Sequence, residues 1–334
     1  MAMPDVIDKQ TVEREDIWLD SSDGSTRLHG VIWWPKGMGP VAAQEQPWES
    51  VERPKAVIQI VHGMAEHISR YDDFARFLAC QGYVVCGHDH INHGESSRPE
   101  QWGKLPLKTG SETLINDVGC LRRFVRDKLP EDTPCFLFGH SMGSFIVRCY
   151  ISRRGKGFKG AIICGTGQIP SATSSMGLLA CKAIATVWGE DTISPMIDNM
   201  GVGAYAKAIE DARTPVDWLS FNHTNVQNYL ADEACGFPFS VGGYGALMML
   251  TREACDESCG LTTPPDLPLL YIAGEDDPVG DRGEGVRAAA QMARDSGSED
   301  VTVIIYEDMR HEILNETEHQ KVYDDVLSWI ESHL

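Results

Sequence analysis

A serine flanked by glycines is the strongest candidate for a reactive group in this chain. Residues 139–143 read Gly-His-Ser-Met-Gly, directly after the apolar run Cys135–Phe138 and before the apolar helical pattern Phe145–Tyr150. A strand, a tight turn and a helix in this order lift the serine hydroxyl clear of a sheet, and the glycines avoid Cβ clashes in the crowded turn. The start of the helix also directs free N–H groups toward developing negative charge. The pattern therefore predicts Ser141 as a nucleophile.

An aspartate and a histidine follow later strands in the order that such a nucleophile requires. A serine hydroxyl needs a base that takes its proton and an acceptor that orients the base. Asp277 comes after the apolar run Leu269–Ala273, and His311 comes after the run Val301–Tyr306. Loops at the carboxyl ends of parallel strands share one edge, and the order serine, aspartate, histidine is the one found on sheets of this type. We therefore predict that Ser141, Asp277 and His311 are the catalytic residues.

The choice of carboxylate is the least certain part of this set. Glu275 and Asp276 directly precede Asp277, and the sequence does not show which of the three side chains faces His311. Pro278 fixes the turn that follows, and this favours Asp277.

A serine nucleophile also requires two donors for the negative oxygen of a tetrahedral intermediate. The amide of Met142, the residue after the nucleophile, is the natural first donor. The loop after the apolar run Ala56–Val61 reads His-Gly-Met-Ala-Glu-His over residues 62–67, and we assign the second donor to the Met64 amide. The alternative for this loop is an ordinary glycine turn.

Other motifs contain residue types that occur in metal or cofactor sites. His88, His90 and His93 have a spacing that can bind zinc, but no later ligand cluster completes the site. Cys255 and Cys259 form a pair without a second pair nearby, which is more typical of a plain loop. The chain has no glycine-rich phosphate loop. We therefore predict neither a metal nor a cofactor.

The elements that must position these residues alternate between strand and helix. Short apolar runs are typical of buried parallel strands. Apolar residues at helical spacing separate them and predict helices at Asp72–Cys80, Leu114–Phe124, Val286–Ala293 and Lys321–Ile330. Such alternation predicts an α/β fold, a mostly parallel sheet with helices on both faces. Two N-terminal strands are expected at Asp16–Asp20 and Arg27–Trp34. The apolar runs predicted to form the parallel strands are Ala56–Val61, Tyr83–Cys86, Cys135–Phe138, Ala161–Cys164, Leu269–Ala273 and Val301–Tyr306.

The alternation is interrupted between residues 165 and 249. This segment shows no clear strand and carries many apolar residues, including Met176, Trp188 and Trp218. We predict a single domain over 1–334, with a core formed by 14–164 and 250–334 and a helical cap insertion at 165–249 that lies over the sheet edge. The alternative is a set of packing helices without a role of its own.

Charge and hydropathy exclude several classes of function. The chain has 29 basic and 49 acidic residues, a net charge of −20, which disfavours binding to nucleic acid. It shows neither a signal peptide at residues 1–8 nor an apolar run of the roughly 18 residues that a spanning helix needs. We therefore expect a cytoplasmic protein with reduced cysteines and no transmembrane segment. The sequence does not indicate an oligomeric state.

Several segments together resemble the α/β-hydrolase superfamily and, more closely, its monoacylglycerol lipase and lysophospholipase-like branch. His-Gly-x-x-Glu-His at 62–67, with Arg-Tyr at 70–71, is similar to the oxyanion loop of that branch. The segments 89–96, 139–144 and 311–316 are similar to its Asp-x-x-Gly-His-Gly-x-Ser segment, its serine turn and its histidine loop. The resemblance implies a serine hydrolase of carboxylic esters without a cofactor, with the same three catalytic residues and the same two amide donors.

The chain departs from the pattern of that branch at two places. Ala65 stands where the oxyanion loop has a glycine, which reduces the backbone freedom there, and Ile91 and Asn92 replace an Arg-Gly pair. The predicted substrate is a small ester with an apolar acyl group, and a monoacylglycerol or a lysophospholipid is what the resemblance implies. Two alternatives are an aminopeptidase-like or thioesterase-like hydrolase on the same fold and a hydrolase-like protein that binds without catalysis.

Overall fold

A computed structural model describes residues 12–39 and 53–334, and these residues fold around an eight-stranded sheet. Residues 1–8, on which the prediction of no signal peptide rests, lie outside the described residues. The strand order is β1-β2-β4-β3-β5-β6-β7-β8. β2 runs antiparallel to both of its neighbours, and every other pair is parallel, which confirms the predicted mostly parallel sheet. The strands are β1 (Val12–Asp20), β2 (Arg27–Pro35), β3 (Val57–Val61), β4 (Val84–His88), β5 (Cys135–His140), β6 (Gly160–Cys164), β7 (Leu269–Gly274) and β8 (Val301–Tyr306).

The predicted strand runs form strands because both of their faces are covered. Every residue of β3 to β7 is buried, whereas β1 alternates between buried and exposed positions, as an outer strand does. Successive residues of one strand enter different cores, so that Ile58 and Ile60 pack on one face while Val57 and Val61 pack on the other.

Helices cover both faces of the sheet. The predicted helix Asp72–Cys80 has these same bounds in the structure and buries Phe74, Phe77 and Leu78. The other predicted helices are present but longer. Within the described residues the helices are α1 (Asp72–Cys80), α2 (Gly110–Arg126), α3 (Met142–Arg154), α4 (Ser171–Trp188), α5 (Pro195–Met200), α6 (Val202–Lys207), α7 (His223–Ala231), α8 (Val241–Ala254), α9 (Glu257–Thr262), α10 (Glu284–Asp295) and α11 (His319–Ser332).

The segment 165–249 is helical in the structure and carries α4 to α7 and the first part of α8. The described residues of this segment contain no strand; the β-type pairing found there is an isolated bridge between Ile193 and Ser240. Because α8 crosses the predicted boundary and packs on α2 and α3, the limits of the cap stay a prediction. None of the described helices is long and apolar enough to span a bilayer.

The register of the parallel strands brings the predicted loops to one edge. Val61 pairs with Gly139, and His140 pairs with Cys164. Gly274 pairs with Tyr306 in the same way. The residues that follow these strands therefore leave the sheet side by side, and this edge carries the candidate site.

Candidate active site

Ser141 occupies a strained turn between β5 and α3. Its φ of 54° and ψ of −121° lie far from the regions that side-chain-bearing residues prefer, a strain of about 1–3 kcal/mol. The neighbouring glycines explain how the turn closes: a Cβ on Gly139 would lie 2.4 Å from the carbonyl oxygen of Gly143, and a Cβ on Gly143 would lie 2.0 Å from that of Val61. The chain therefore holds the serine in the geometry that the motif predicts.

His311 and Asp277 are in direct contact. His311 Nδ1 lies 2.9 Å from Asp277 Oδ2, and both side chains are buried. The second oxygen, Asp277 Oδ1, accepts the Val279 amide at 2.8 Å, which fixes the orientation of the carboxylate. Glu275 is exposed and Asp276 is partly exposed, so Asp277 is the carboxylate that meets the histidine in the described chain.

The other ring nitrogen of His311 is not engaged by another described residue. Nε2 is buried and has no hydrogen-bond partner among the described residues. His311 and Ser141 line the same cavity. Proton transfer from a serine requires a histidine with one nitrogen held by a carboxylate and the other free to accept the proton, and His311 meets both conditions.

The His311 ring is held by aromatic contacts from two directions. The ring centroids of His140 and Trp218 lie 4.7 Å and 5.1 Å from that of His311. Gly165, with φ 59°, faces the ring edge, where a Cβ would come within 3.1 Å of His311 Cε1. Trp218 belongs to the segment 165–249, so the predicted cap supports the candidate base directly.

The two predicted amide donors belong to residues that line the same cavity as Ser141. Met142 begins α3, where its N–H has no partner within the helix, and Met64 lines the cavity beside it. The Met64 amide forms no hydrogen bond with another described residue. Their use as oxyanion donors remains a prediction that this placement allows.

The departure at Ala65 has a visible structural consequence. Ala65 has a φ of 53°, in the left-handed region that glycine enters without a Cβ penalty. Its carbonyl oxygen accepts the Tyr229 hydroxyl at 3.0 Å and the Gly236 amide at 2.9 Å. Two residues of the 165–249 segment therefore hold the strained turn in place.

A buried ionic cluster contacts the candidate base, His311, through His140. Arg70 donates to both oxygens of Glu312 at 2.6 Å and 2.7 Å and to Glu66 Oε2 at 2.8 Å. His140 Nδ1 lies 3.5 Å from Glu66 Oε1, and His140 Nε2 lies 3.2 Å from the His311 carbonyl oxygen. Both ring nitrogens therefore face acceptors, which a doubly protonated ring satisfies.

The electrostatics of this cluster agree with that protonation. Burial opposes a charge on His140, but the hydrogen bond to Glu66 and the charges of Glu66 and Glu312 outweigh it and raise the pKa of His140. Burial likewise opposes ionisation of Glu66, but the contacts with His140 and Arg70 hold the pKa of Glu66 well below its usual range. A positive His140 would complete the balance of charge between Arg70 and the two glutamates.

This cluster is what the sequence reasoning missed. Glu66, Arg70 and Glu312 lie in the segments that carry the family resemblance, but neither periodicity nor spacing indicates that they meet. The sequence feature that could have indicated the cluster is the presence of one basic residue, Arg70, and two acidic residues, Glu66 and Glu312, in loops at the same edge of the sheet.

The cavity at the site has a volume of about 330 Å³, within the range of small-molecule pockets. Its wall is mostly apolar. It combines core residues with residues of the 165–249 segment, among them Met64, Phe145, Val202, Tyr205, Phe237 and Met248.

The histidine triplet does not converge on a common point. His88, His90 and His93 are fully buried and form no three-ligand group in the described chain. Cys255 and Cys259 also do not belong to any group of three possible metal ligands among residues 12–39 and 53–334. His67, Asp232 and Cys235 do form one, and they were not singled out from the sequence.

Comparison with known proteins gives a consistent result. The model of the family described as "Serine aminopeptidase, S33" matches residues 52–318. A "Monoacylglycerol lipase" of Mycolicibacterium smegmatis is 29% identical over 301 residues, covering 89% of this chain and 96% of that protein. A "Monoglyceride lipase" of Mus musculus is 26% identical over 288 residues, covering 85% of this chain and 84% of that protein.

A solved structure shows the same architecture. The thermostable carboxyl esterase from Bacillus coagulans, determined in complex with glycerol, is similar with a TM-score of 0.85 and 28% identity. The match covers 96% of this chain and 98% of that one. The α/β-hydrolase fold predicted from the sequence is thereby confirmed.

Proposed function

The chain belongs to the serine aminopeptidase S33 family of α/β-hydrolases, and from this premise we propose that it cleaves carboxylic esters through an acyl-enzyme on Ser141. The observation that carries the proposal is the His311–Asp277 contact of 2.9 Å, in a cavity that both His311 and Ser141 line, with the other ring nitrogen of His311 unpaired among the described residues. The named relatives, a monoacylglycerol lipase and a carboxyl esterase, support this reaction class.

In the first half of the proposed reaction, Ser141 Oγ forms a bond to the acyl carbon while its proton passes to His311 Nε2. Asp277 holds the Nδ1–H and stabilises the positive ring. The Met64 and Met142 amides donate to the negative oxygen of the tetrahedral intermediate, each donor contributing about 3 kcal/mol to the transition state. The intermediate collapses, the bond to the leaving alcohol breaks, and the alcohol takes the proton from His311.

The second half repeats these steps with water. His311 takes a proton from the water while the water oxygen attacks the acyl carbon of the ester on Ser141. Collapse of the second tetrahedral intermediate releases the carboxylic acid and returns the proton to Ser141. No step requires a cofactor.

We propose a small ester with an apolar acyl group as the substrate, with a monoacylglycerol as the first candidate. The mostly apolar wall around Phe145, Val202 and Met248 suits an acyl chain. The support from relatives is the activity in the names of the two lipases, and it applies to this chain only as a proposal.

The name of the family favours a second candidate, hydrolysis of the amide next to a free amino terminus. Such a substrate needs a free carboxylate for its ammonium group. Glu66 and Glu312 line the cavity but are engaged with Arg70, and Asp198 accepts the Tyr244 hydroxyl. Asp198 is the carboxylate of the wall that could still meet an ammonium group, whereas the mostly apolar remainder of the wall favours the ester. Matched p-nitrophenyl esters and p-nitroanilides, with acyl and with aminoacyl groups, separate the two reactions.

The test of the proposal is hydrolysis of p-nitrophenyl esters and monoacylglycerols of increasing chain length. The Ser141→Ala variant is expected to lose activity by a factor of about 10⁶ or to the detection limit. Ser152→Ala, in the same helix but outside the cavity wall, is the matched control and is expected to keep full activity. Equal turnover by wild type and Ser141→Ala would refute the proposal.

A further inference from the structure

Three potential metal ligands meet where the oxyanion loop touches the 165–249 segment. His67 ends the loop 62–67, Asp232 follows α7, and Cys235 lies three residues further on. His67 Nε2 lies 2.8 Å from Asp232 Oδ2, and the nearest ligand atoms of all three residues lie within 4.8 Å of one another. We call these three residues the bridging cluster.

The ligand types of the bridging cluster match Zn²⁺. Zinc binds thiolate at about 2.3 Å and imidazole or carboxylate oxygen at about 2.0–2.2 Å, so ligand atoms around one ion lie roughly 3.5 Å apart. Side-chain rotations that lengthen the His67–Asp232 separation of 2.8 Å and shorten the longer separations, which are at most 4.8 Å, by up to roughly 1.3 Å would close the three around one ion. A thiolate, a carboxylate and a neutral imidazole carry two negative charges, which balance a divalent cation.

The position of the bridging cluster allows an ion to enter. The side chains of His67 and Asp232 keep 18% and 38% of their surfaces exposed, while Cys235 is buried behind them. Asp232 Oδ1 accepts the Ala234 amide at 2.9 Å, which holds the carboxylate toward His67. The nearest cation, Arg70, already pairs with two glutamates, and the exposed side of the cluster leaves room for water as a fourth ligand.

We propose that His67, Asp232 and Cys235 bind Zn²⁺ and that the bound ion clamps the 165–249 segment onto the oxyanion loop. The thiol proton of Cys235 leaves to solvent as the zinc–sulfur bond forms. The clamp acts at a contact that already exists, because Ala65, two residues before His67, accepts hydrogen bonds from Tyr229 and Gly236. The ion therefore restricts the same turn that carries the Met64 amide.

The bridging cluster is separate from the histidine spacing that the sequence suggested. His88, His90 and His93 are close in sequence but form no ligand group in the described chain, whereas His67 of the bridging cluster lies 165 residues before Asp232 in the sequence. A short-range motif search does not find such a site.

Titration of the untagged, metal-free protein with Co²⁺ tests the site directly. The wild type is expected to bind one ion with a thiolate-to-cobalt charge-transfer band in the near ultraviolet. Cys235→Ser is expected to lose the band, and His67→Gln and Asp232→Asn are expected to weaken binding at least about tenfold. Cys80→Ser, which replaces an exposed cysteine outside the cluster, is the matched control and is expected to keep the band.

Amide hydrogen exchange in the presence of Zn²⁺ tests the clamp without relying on ester hydrolysis. Zn²⁺ is expected to slow exchange at residues 62–67 and 232–236 in the wild type and not in Cys235→Ser. A wild type without the charge-transfer band, or a band that persists in folded Cys235→Ser, would overturn the site. Bound Zn²⁺ without slower exchange in these two segments would overturn the clamp.

Discussion

Four buried histidines make the stability of the fold depend on pH. His62, His88, His90 and His93 have no exposed surface. Burial lowers the pKa of His88 to about 4 and those of His90 and His93 to about 3, and it holds the pKa of His62 well below its usual range. Because the unfolded chain titrates near pH 6.5, it binds more protons than the folded chain below that pH. The stability contributed by these rings is therefore complete above pH 6.5 and is lost as the pH falls toward 4.

The magnitude follows from the size of each shift. For His88, with values near 6.5 unfolded and about 4 folded, the loss between pH 8 and pH 5 is about 2 kcal/mol. His90 and His93 each lose a similar amount over that interval. His29 and His140 act in the opposite direction, since their ion-pair partners raise their pKa values. A single-site variant is therefore needed to isolate the effect of one ring.

His88→Leu is the sharpest variant, because neither ring nitrogen of His88 has a partner among the described residues. An apolar side chain of similar volume is expected to change the free energy of unfolding by less than about 1.5 kcal/mol at pH 8. The difference between wild type and variant should then shift by about 2 kcal/mol in favour of the variant at pH 5. Urea unfolding followed by tryptophan fluorescence at pH 8, 7, 6 and 5 measures this shift.

The matched control is His223→Gln, which replaces an exposed histidine. It is expected to follow the wild-type pH dependence within about 0.5 kcal/mol. The reasoning is refuted if His88→Leu loses stability between pH 8 and pH 5 as steeply as the wild type does.

Three further changes address the site. Asp277→Asn keeps the shape of the side chain but not its charge, and we expect kcat on a p-nitrophenyl ester to fall about 10⁴-fold with little change in KM; a loss below about tenfold would contradict the orienting role. Gly143→Ala places a Cβ 2.0 Å from the Val61 carbonyl oxygen, so circular dichroism should show a chain that does not fold or melts far below the wild type, and an unchanged melting temperature would contradict the packing of the turn. Arg70→Met leaves buried Glu312 without its cation and removes one of the two ion-pair partners of Glu66, and should lower the free energy of unfolding in urea by about 3–5 kcal/mol, whereas a change below about 1 kcal/mol would contradict the ionic cluster.

The parts of the fold that are defined by local patterns could be predicted from the sequence. β3 to β7 are short apolar runs because both of their faces are buried, and Ser141 lies in a strand-turn-helix whose glycines have an identifiable steric role. The choice between Asp276 and Asp277 could not be made in this way. Glu275 and Asp276 lie in a turn, where neighbouring side chains follow no regular alternation, and only the folded loop shows which carboxylate meets His311.

Contacts between distant segments were beyond the sequence for a different reason. Apolar periodicity in the segment 165–249 shows that its helices bury one face but not which loop they contact. The support of His311 by Trp218, and that of Ala65 by Tyr229, therefore appears only in the structure. The limits of the cap depend on such contacts as well, and they remain a prediction.

Covalent labelling of the folded protein with a fluorophosphonate tests the central proposal most directly. One adduct per chain is expected, located by peptide mass spectrometry on Ser141, and His311→Ala should slow its formation because the serine then lacks its base. Ser141→Ala should carry no adduct and hydrolyse no ester. An adduct on a different serine, or ester hydrolysis that persists in folded Ser141→Ala, would contradict the account.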